Sequence, residues 1–549
     1  MTGLHLRSRW RDHTHRLPPP RTRSIVVETD LKVPMRDGTE LLADRWAPRD
    51  GGAGLPVAII RGTVARRGPF TATLAGPLAE RGFQVVVQSS RGLYGSGGDF
   101  EPLVNERDDG LDTIDWVMDQ AWFGGSIVLY GPSYQGYAQW TLADAVPDSV
   151  IAMVPAVSES ALGTSLVPHR TFGLEALLGW AMLLDLMREP WATTKFLLRT
   201  RQRHRAERIL PLARAGEVAL GRPSEMIDSF IENDLDSPRW EGIDGRHRVT
   251  RISVPTSVVT GWYDTFLPGA IRDFRQLQAD GRDVRLTVGP WSHSSSGVVS
   301  ATLHEVLEFA RPLARGERPA PRAAVRVFVS GADEWRDLPV WPPEGYADRS
   351  YYLQPGGVLK ETIATTSQSE SYLYDPADPT PALGGPRLLP GTAAGSVDNR
   401  RLESRSDVLI YTSPPLRCDS ELIGHGRATI WFQSTRPCAD LFVRVCDVDP
   451  KGVSRNVTDG FASISDADTA QAVTIDLAPI AHRFRRGHRI RVQVSSGAFP
   501  LYNRNLGTGE PLPTAERLEA ATQTVRTGPE QRSRVVLPLR EVEAAAAER

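Results

Sequence analysis

Ser133 lies in Gly131-Pro132-Ser133-Tyr134-Gln135-Gly136, directly after the apolar run Ser126-Ile127-Val128-Leu129-Tyr130. A buried strand that ends in a glycine-bracketed serine and passes into a helix reads as a nucleophile elbow of the G-x-S-x-G type. Its tight turn lifts the serine Oγ out at the carboxyl edge of a sheet. At neutral pH a serine hydroxyl needs a base to take its proton and a carboxylate to hold that base's tautomer. Two later positions fit these roles. Asp264 closes Gly261-Trp262-Tyr263-Asp264 after the strand-like 256–260, and His293 closes Gly289-Pro290-Trp291-Ser292-His293 after 284–288. Serine, acid and histidine in this chain order, each behind a later strand, point to covalent acyl chemistry. The backbone N–H of Tyr134 is then the first candidate donor to a tetrahedral oxyanion.

The other ten histidines fit a base less well. His5, His13 and His15 precede the first strand, and His204 stands among arginines. His169 and His247 fall in or beside a helical insertion, and His304 lies in a helical pattern. His425, His482 and His488 belong to the strand-rich end of the chain. No His/Asp/Glu set has metal-ligand spacing and no glycine loop has phosphate-loop spacing, so neither a metal nor a cofactor is expected. The arginines 199, 201, 203, 205 and 208 read as a solvated helix face. The acidic residues in 101–112 read as charge complementing the N-terminus of a following helix.

The elements that must position these side chains are legible in the periodicity. Runs at 24–28, 41–46, 57–60, 85–87 and 126–130 read as strands, with helices over 71–81 and 111–120 between them. Continuous β-branched runs such as Val57-Ala58-Ile59-Ile60 indicate strands covered on both faces, hence a parallel sheet flanked by helices. From about 150 to 245 the pattern turns helical, most strongly at 174–187. From about 324 onward it becomes all-β, with half-buried strands at 325–329, 350–353, 428–432 and 489–494, suggesting a β-sandwich or jelly roll.

The chain has 549 residues, too many for one core, and a formal net charge of −2. That balance supplies no field for nucleic acid or an anionic membrane, so neither partner is expected. Three cysteines, Cys418, Cys438 and Cys446, exclude a disulfide scaffold. No apolar stretch approaches the roughly 20 residues of a membrane span, and residues 1–23 lack the apolar segment of a secretion signal. The chain is accordingly read as cytoplasmic with a flexible N-terminal arm, and the sequon Asn456-Val457-Thr458 as unmodified.

Several segments together resemble the cocaine esterase-like branch of the X-Pro dipeptidyl-peptidase family of serine hydrolases. They are Arg91-Gly92-Leu93-Tyr94-Gly95-Ser96-Gly97-Gly98, Asp112-Thr113-Ile114-Asp115-Trp116, the serine turn, and the segments ending in Asp264 and His293. In the β region, Ala332-Asp333-Glu334-Trp335-Arg336 and Tyr374-Asp375-Pro376-Ala377-Asp378-Pro379 also match. The resemblance runs over roughly 25–540. It implies an α/β-hydrolase core (24–150 and 246–322) with an inserted helical cap (151–245), followed by an all-β jelly-roll domain (323–549). It also implies a Ser133–His293–Asp264 triad and an acyl pocket lined by Trp180 and Phe266. The family carries a tyrosine on the loop after strand 57–60 as its second oxyanion donor. This chain has Val64 there, in Arg61-Gly62-Thr63-Val64-Ala65, so the Thr63 hydroxyl or a loop N–H is expected to serve instead.

The expected activity is hydrolysis of an ester or amide of a small, largely uncharged acyl group. Three alternatives share the same residues: acyl transfer in a biosynthetic pathway, X-Pro dipeptidyl-peptidase activity, and an inactive hydrolase with a binding β-sandwich. The peptidase reading lacks an acidic ammonium site, because Thr265-Phe266-Leu267 follow Asp264. Oligomeric state stays open, a homodimer included.

Overall fold

The computed structural model describes residue 8, residues 11–49, 52–162 and 173–187, residue 189, and residues 191–232, 243–389 and 393–542. The chain divides into two compact units. The first takes 1–164, 187–190 and 238–326; the second takes 165–186, 191–237 and 327–549.

The first unit is built on a mixed sheet. Its strands are β1 (Ile25–Pro34), β2 (Glu40–Pro48), β3 (Val57–Gly62), β4 (Gln84–Ser89), β5 (Ile127–Pro132), β6 (Val150–Ala156), β7 (Thr256–Tyr263) and β8 (Val284–Ser292). Their spatial order is β1-β2-β4-β3-β5-β6-β7-β8. The pairings of β2 with β1 and with β4 are antiparallel, and from β4 to β8 all are parallel. Every residue of β3, β4 and β5 is buried, which is why these segments are continuous apolar runs rather than alternating ones. Helices α1 (Pro69–Ala79), α2 (Glu106–Met118), α3 (Tyr134–Trp140), α4 (Leu267–Ala279) and α5 (Ser296–Glu305) connect the strands. Leu74 and Leu78 of α1 and Val298 and Leu303 of α5 share one core with Ile60, Val85, Val128 and Val154 of the sheet.

Two sequence expectations about this unit are corrected. Within 1–23, read as a loose arm, residue 8 and residues 11–23 are tied down. Ser8 donates to Glu80 at 2.7 Å, Arg23 pairs with Asp12 at 2.6 Å, and Arg81 pairs with Asp12 at 2.9 Å. Arg81 is fully buried, and a buried guanidinium requires a counter-charge that the N-terminal segment supplies. The acids of 101–112 do more than face a helix terminus. Glu106 and Asp109 are buried and pair with Arg61 at 3.2 Å and Arg91 at 2.7 Å, while Asp112 holds Arg36 at 2.7 Å.

The second unit joins thirteen strands of the C-terminal region into one largely antiparallel network. Strand Arg427–Ser434 alternates exposed or half-buried residues with buried ones, the period of a sheet wetted on one face. Helix Leu174–Leu186 belongs to the same unit. Its Glu175 pairs with Arg387, and the Glu175 N–H donates to the Pro500 carbonyl at 2.9 Å. The solvated-face reading of the arginine run suits exposed Arg201 and Arg205. It fails for Arg203, which is buried, lies over the Phe196 ring and stands 3.6 Å from Glu207. Among the described residues no helix is long and apolar enough to cross a membrane.

Candidate active site

Strand β5 ends at Pro132 and helix α3 begins at Tyr134, leaving Ser133 alone between them with φ 58° and ψ −124°. A non-glycine residue there is strained by about 1–3 kcal/mol, and the surroundings hold it in place. The Ser133 N–H donates to the Ala156 carbonyl at 2.8 Å, while its own carbonyl accepts from Gly136 at 2.8 Å and Tyr137 at 3.0 Å. The G-x-S-x-G spelling needs a correction, because Gln135 holds the place of the second glycine and Gly136 follows one position later. The packing explains both glycines. A Cβ at Gly131 would lie 2.5 Å from Gln135 Cβ, and one at Gly136 would lie 2.6 Å from Ser158 Cβ.

Strands β7 and β8 deliver the other two residues. Asp264 follows β7 and is 1% exposed; its Oδ2 accepts from the Thr260 hydroxyl at 3.1 Å. His293 follows β8. Its Nδ1 stands 2.8 Å from Asp264 Oδ1 and its Nε2 stands 3.0 Å from Ser133 Oγ. Three residues separated by up to 160 positions thus form one hydrogen-bonded line. With Nδ1 donating to the carboxylate, Nε2 carries the lone pair that faces the serine hydroxyl. Phe266 is buried and sets its ring 5.4 Å from the His293 ring, edge to face at 73°.

The Tyr134 side chain has partners of its own. The hydroxyl donates to Glu106 Oε1 at 2.8 Å and accepts from the Leu103 N–H at 2.9 Å. Burial, reinforced by the Glu106 charge, pushes this phenol well above its ordinary range. Tyr134 is the first residue of α3 and directly follows Ser133.

The loop after β3 separates its two candidates. Val64 has no donor left, since its N–H is spent on the Gly62 carbonyl at 2.8 Å. Its carbonyl accepts from Ser89 Oγ at 2.8 Å, and its side chain packs in the core with Leu74 and Val87. Thr63 is half-buried, and its hydroxyl has no hydrogen-bond partner among the described residues. A Cβ on neighbouring Gly62 would fall 2.9 Å from Tyr134 Cδ1, which sets this turn against the elbow.

Trp180 lies in the second unit, where its ring packs on Phe230 at 5.4 Å. Other histidines have local partners: His204 with Glu207, His304 with Glu308, and both His482 and His488 with Asp447. His5 and His169 fall outside the described residues. Among the described residues no group of three or more His, Cys, Asp or Glu side chains is arranged to hold a metal ion. Sequence reasoning missed Thr260 and Glu106. Thr260 is an unremarkable strand residue until β7 turns it toward Asp264, and Glu106 was hidden in an acidic run.

The profile of the X-Pro dipeptidyl-peptidase (S15 family) matches residues 37–295, and that of the X-Pro dipeptidyl-peptidase C-terminal non-catalytic domain matches 320–536. A cocaine esterase from Rhodococcus sp. (strain MB1 Bresler) is 32% identical, over 93% of this chain and 98% of its own. Among solved structures, an aminopeptidase from a Thaumarchaeota archaeon of marine sediment superposes with a TM-score of 0.81 at 22% identity, covering 95% of this chain and 97% of its own. An α-amino acid ester hydrolase gives 0.79 at 22% identity, covering 95% and 98%. These two likenesses bear on fold alone. Carried by the cocaine esterase match and the two profiles, the assignment is that this chain belongs to the X-Pro dipeptidyl-peptidase (S15) family and is a serine hydrolase.

Proposed function

We propose that the chain hydrolyses an ester or amide of a small, largely uncharged acyl group through an acyl-serine intermediate. The observation that carries this reading is the Ser133–His293–Asp264 line, with contacts of 3.0 and 2.8 Å. Ser133 Oγ forms a bond to the substrate carbonyl carbon while its proton passes to His293 Nε2. Asp264 holds the imidazole through Nδ1 and stabilises the imidazolium. The tetrahedral oxyanion is met by the Tyr134 N–H and the Thr63 hydroxyl, preorganised donors of which each is worth about 2.7–4 kcal/mol. Collapse returns the proton to the leaving alcohol or amine, and water repeats the sequence in reverse on the acyl-enzyme.

An ester is favoured over a peptide substrate. The relative with 32% identity is an esterase, and Thr265, Phe266 and Leu267 after Asp264 offer no carboxylate to a substrate ammonium. Phe266, whose ring stands edge to face with the imidazole, lines the acyl side of the site with an apolar wall. The test is labelling by a fluorophosphonate probe alongside turnover of p-nitrophenyl esters. Wild type is expected to label at Ser133 and Ser133→Ala to lose both labelling and turnover; labelling that survives in Ser133→Ala would overturn the assignment.

A further inference from the structure

The loop that follows β3 is held by an ion-pair clamp that the triad and the elbow do not use. Asp44 on β2 is completely buried. Its carboxylate accepts from Arg66 Nε at 3.1 Å, Arg67 Nε at 2.6 Å and the Asp30 backbone N–H at 2.9 Å. Asp30 occupies the bulge of β1 with φ 58°. Its own carboxylate takes Arg66 Nη2 at 2.7 Å and Arg67 Nη2 at 2.5 Å. Two guanidinium groups and two carboxylates therefore close a ring with no net charge. Arg66 reaches further, donating Nη1 to the Tyr94 carbonyl at 2.8 Å and Ser89 Oγ at 3.2 Å, and Ser89 in turn holds the Val64 carbonyl.

The loop needs such a restraint. It is flanked by Gly62 and Gly68, with φ of 146° and 127°, so its ends carry little intrinsic stiffness. A hydroxyl stabilises an oxyanion only if it is aimed before the charge develops, since reorientation during reaction returns the gain. Thr63 is three residues from Arg66; it adjoins Val64, whose carbonyl Ser89 holds, and Gly62, where a Cβ would fall 2.9 Å from Tyr134 Cδ1.

We propose that Asp30, Asp44, Arg66 and Arg67 form a positioning device that fixes residues 63–67 and so aims the Thr63 hydroxyl at the oxyanion. The four side chains are positioning residues acting through Thr63. The inference rests on the reading of Thr63 as the second donor, and the experiment separates the two.

Steady-state turnover of p-nitrophenyl acetate is measured on the full chain, with active sites titrated by fluorophosphonate. The variants are Asp44→Asn, Arg67→Ala, Thr63→Val and the double variant Thr63→Val/Arg67→Ala. Arg67 is about half exposed, so Arg67→Ala decides the matter if Asp44→Asn fails to fold. Thr63→Val is expected to lower kcat by about 100-fold, and each clamp variant by about 10-fold or more, with KM within twofold of wild type. The double variant is expected to lose no more than Thr63→Val alone, the non-additivity of residues acting as one unit. A merely structural clamp would instead give losses that multiply in the double variant. That result, or wild-type kcat in Arg67→Ala, overturns the proposal. Wild-type kcat in Thr63→Val with full Ser133 labelling overturns the donor assignment beneath it, and the clamp's role with it.

Discussion

The Tyr134 hydroxyl donates to the Glu106 carboxylate across 2.8 Å, with both side chains buried. The residue following Ser133 is thereby anchored to α2 by its side chain. Glu106 Oε1 also accepts from Ser90 Oγ at 2.9 Å, and Arg61 stands 3.2 Å from its other oxygen. Tyr134→Phe removes one donor from this carboxylate and strands the Leu103 N–H. The expected cost is about 1–3 kcal/mol of stability, read by urea denaturation, with kcat close to wild type. A large fall in kcat at unchanged stability would show that the hydroxyl itself takes part.

Introducing at position 64 the tyrosine that the family resemblance implies for the β3 loop is not expected to help. Val64 is 3% exposed and packed in the sheet core, so Val64→Tyr must displace its neighbours before its hydroxyl can reach any substrate. Overpacking of this kind costs about 1–3 kcal/mol. The measurement pairs a melting curve with ester turnover: a lower Tm and no gain in kcat are expected.

Asp264 and Thr260 predict a graded pair of effects. Asp264→Asn keeps the shape but no longer enforces the tautomer that presents the Nε2 lone pair, so kcat should fall on the order of 10⁴-fold. Thr260→Val removes only the 3.1 Å donor to the second carboxylate oxygen. A smaller loss, about tenfold at about 1.4 kcal/mol, is expected. Equal losses in the two variants, in steady-state assays with titrated sites, would contradict the ranking.

In the second unit, burial pushes the Asp440 carboxyl up to about 7, against hydrogen bonds from Asn505 at 3.2 Å and Ser463 at 2.9 Å. Between about pH 4 and 7 the folded chain holds a proton that the unfolded chain has released. This group's contribution to stability therefore falls as pH rises through that window and is flat above it. Asp440→Asn removes the dependence. The Tm of the variant minus that of wild type should become more positive from pH 5 to pH 8; a difference independent of pH would contradict it.

Parallel strands buried on both faces show themselves as unbroken apolar runs, so the core sheet and the turns at its carboxyl edge could be read along the chain. The serine turn was recognisable although Gln135 interrupts the usual glycine spacing, because what the turn needs is close approach at Gly131 and Gly136. Charged side chains were read less well. Glu106 looked like helix-terminal charge, Arg203 like a solvated face, and 11–23 like a loose arm. Each owes its place to a partner distant in sequence, and a buried charge is intelligible only once its counter-charge is known.

Residue type and order alone determined the chemistry on offer: a serine after one buried strand, an acid and a histidine after two later ones, and no metal-binding spacing. Only the tertiary structure decided which groups meet. It set Nε2 of His293 at 3.0 Å from Ser133, spent the Val64 N–H on a turn while sparing the Thr63 hydroxyl, and closed two arginines on two aspartates around the same loop. The reason is geometric. Strand and turn patterns are local and repeat along the chain, whereas a hydrogen bond tolerates only a few tenths of an ångström, a precision fixed by packing among residues that are far apart in sequence.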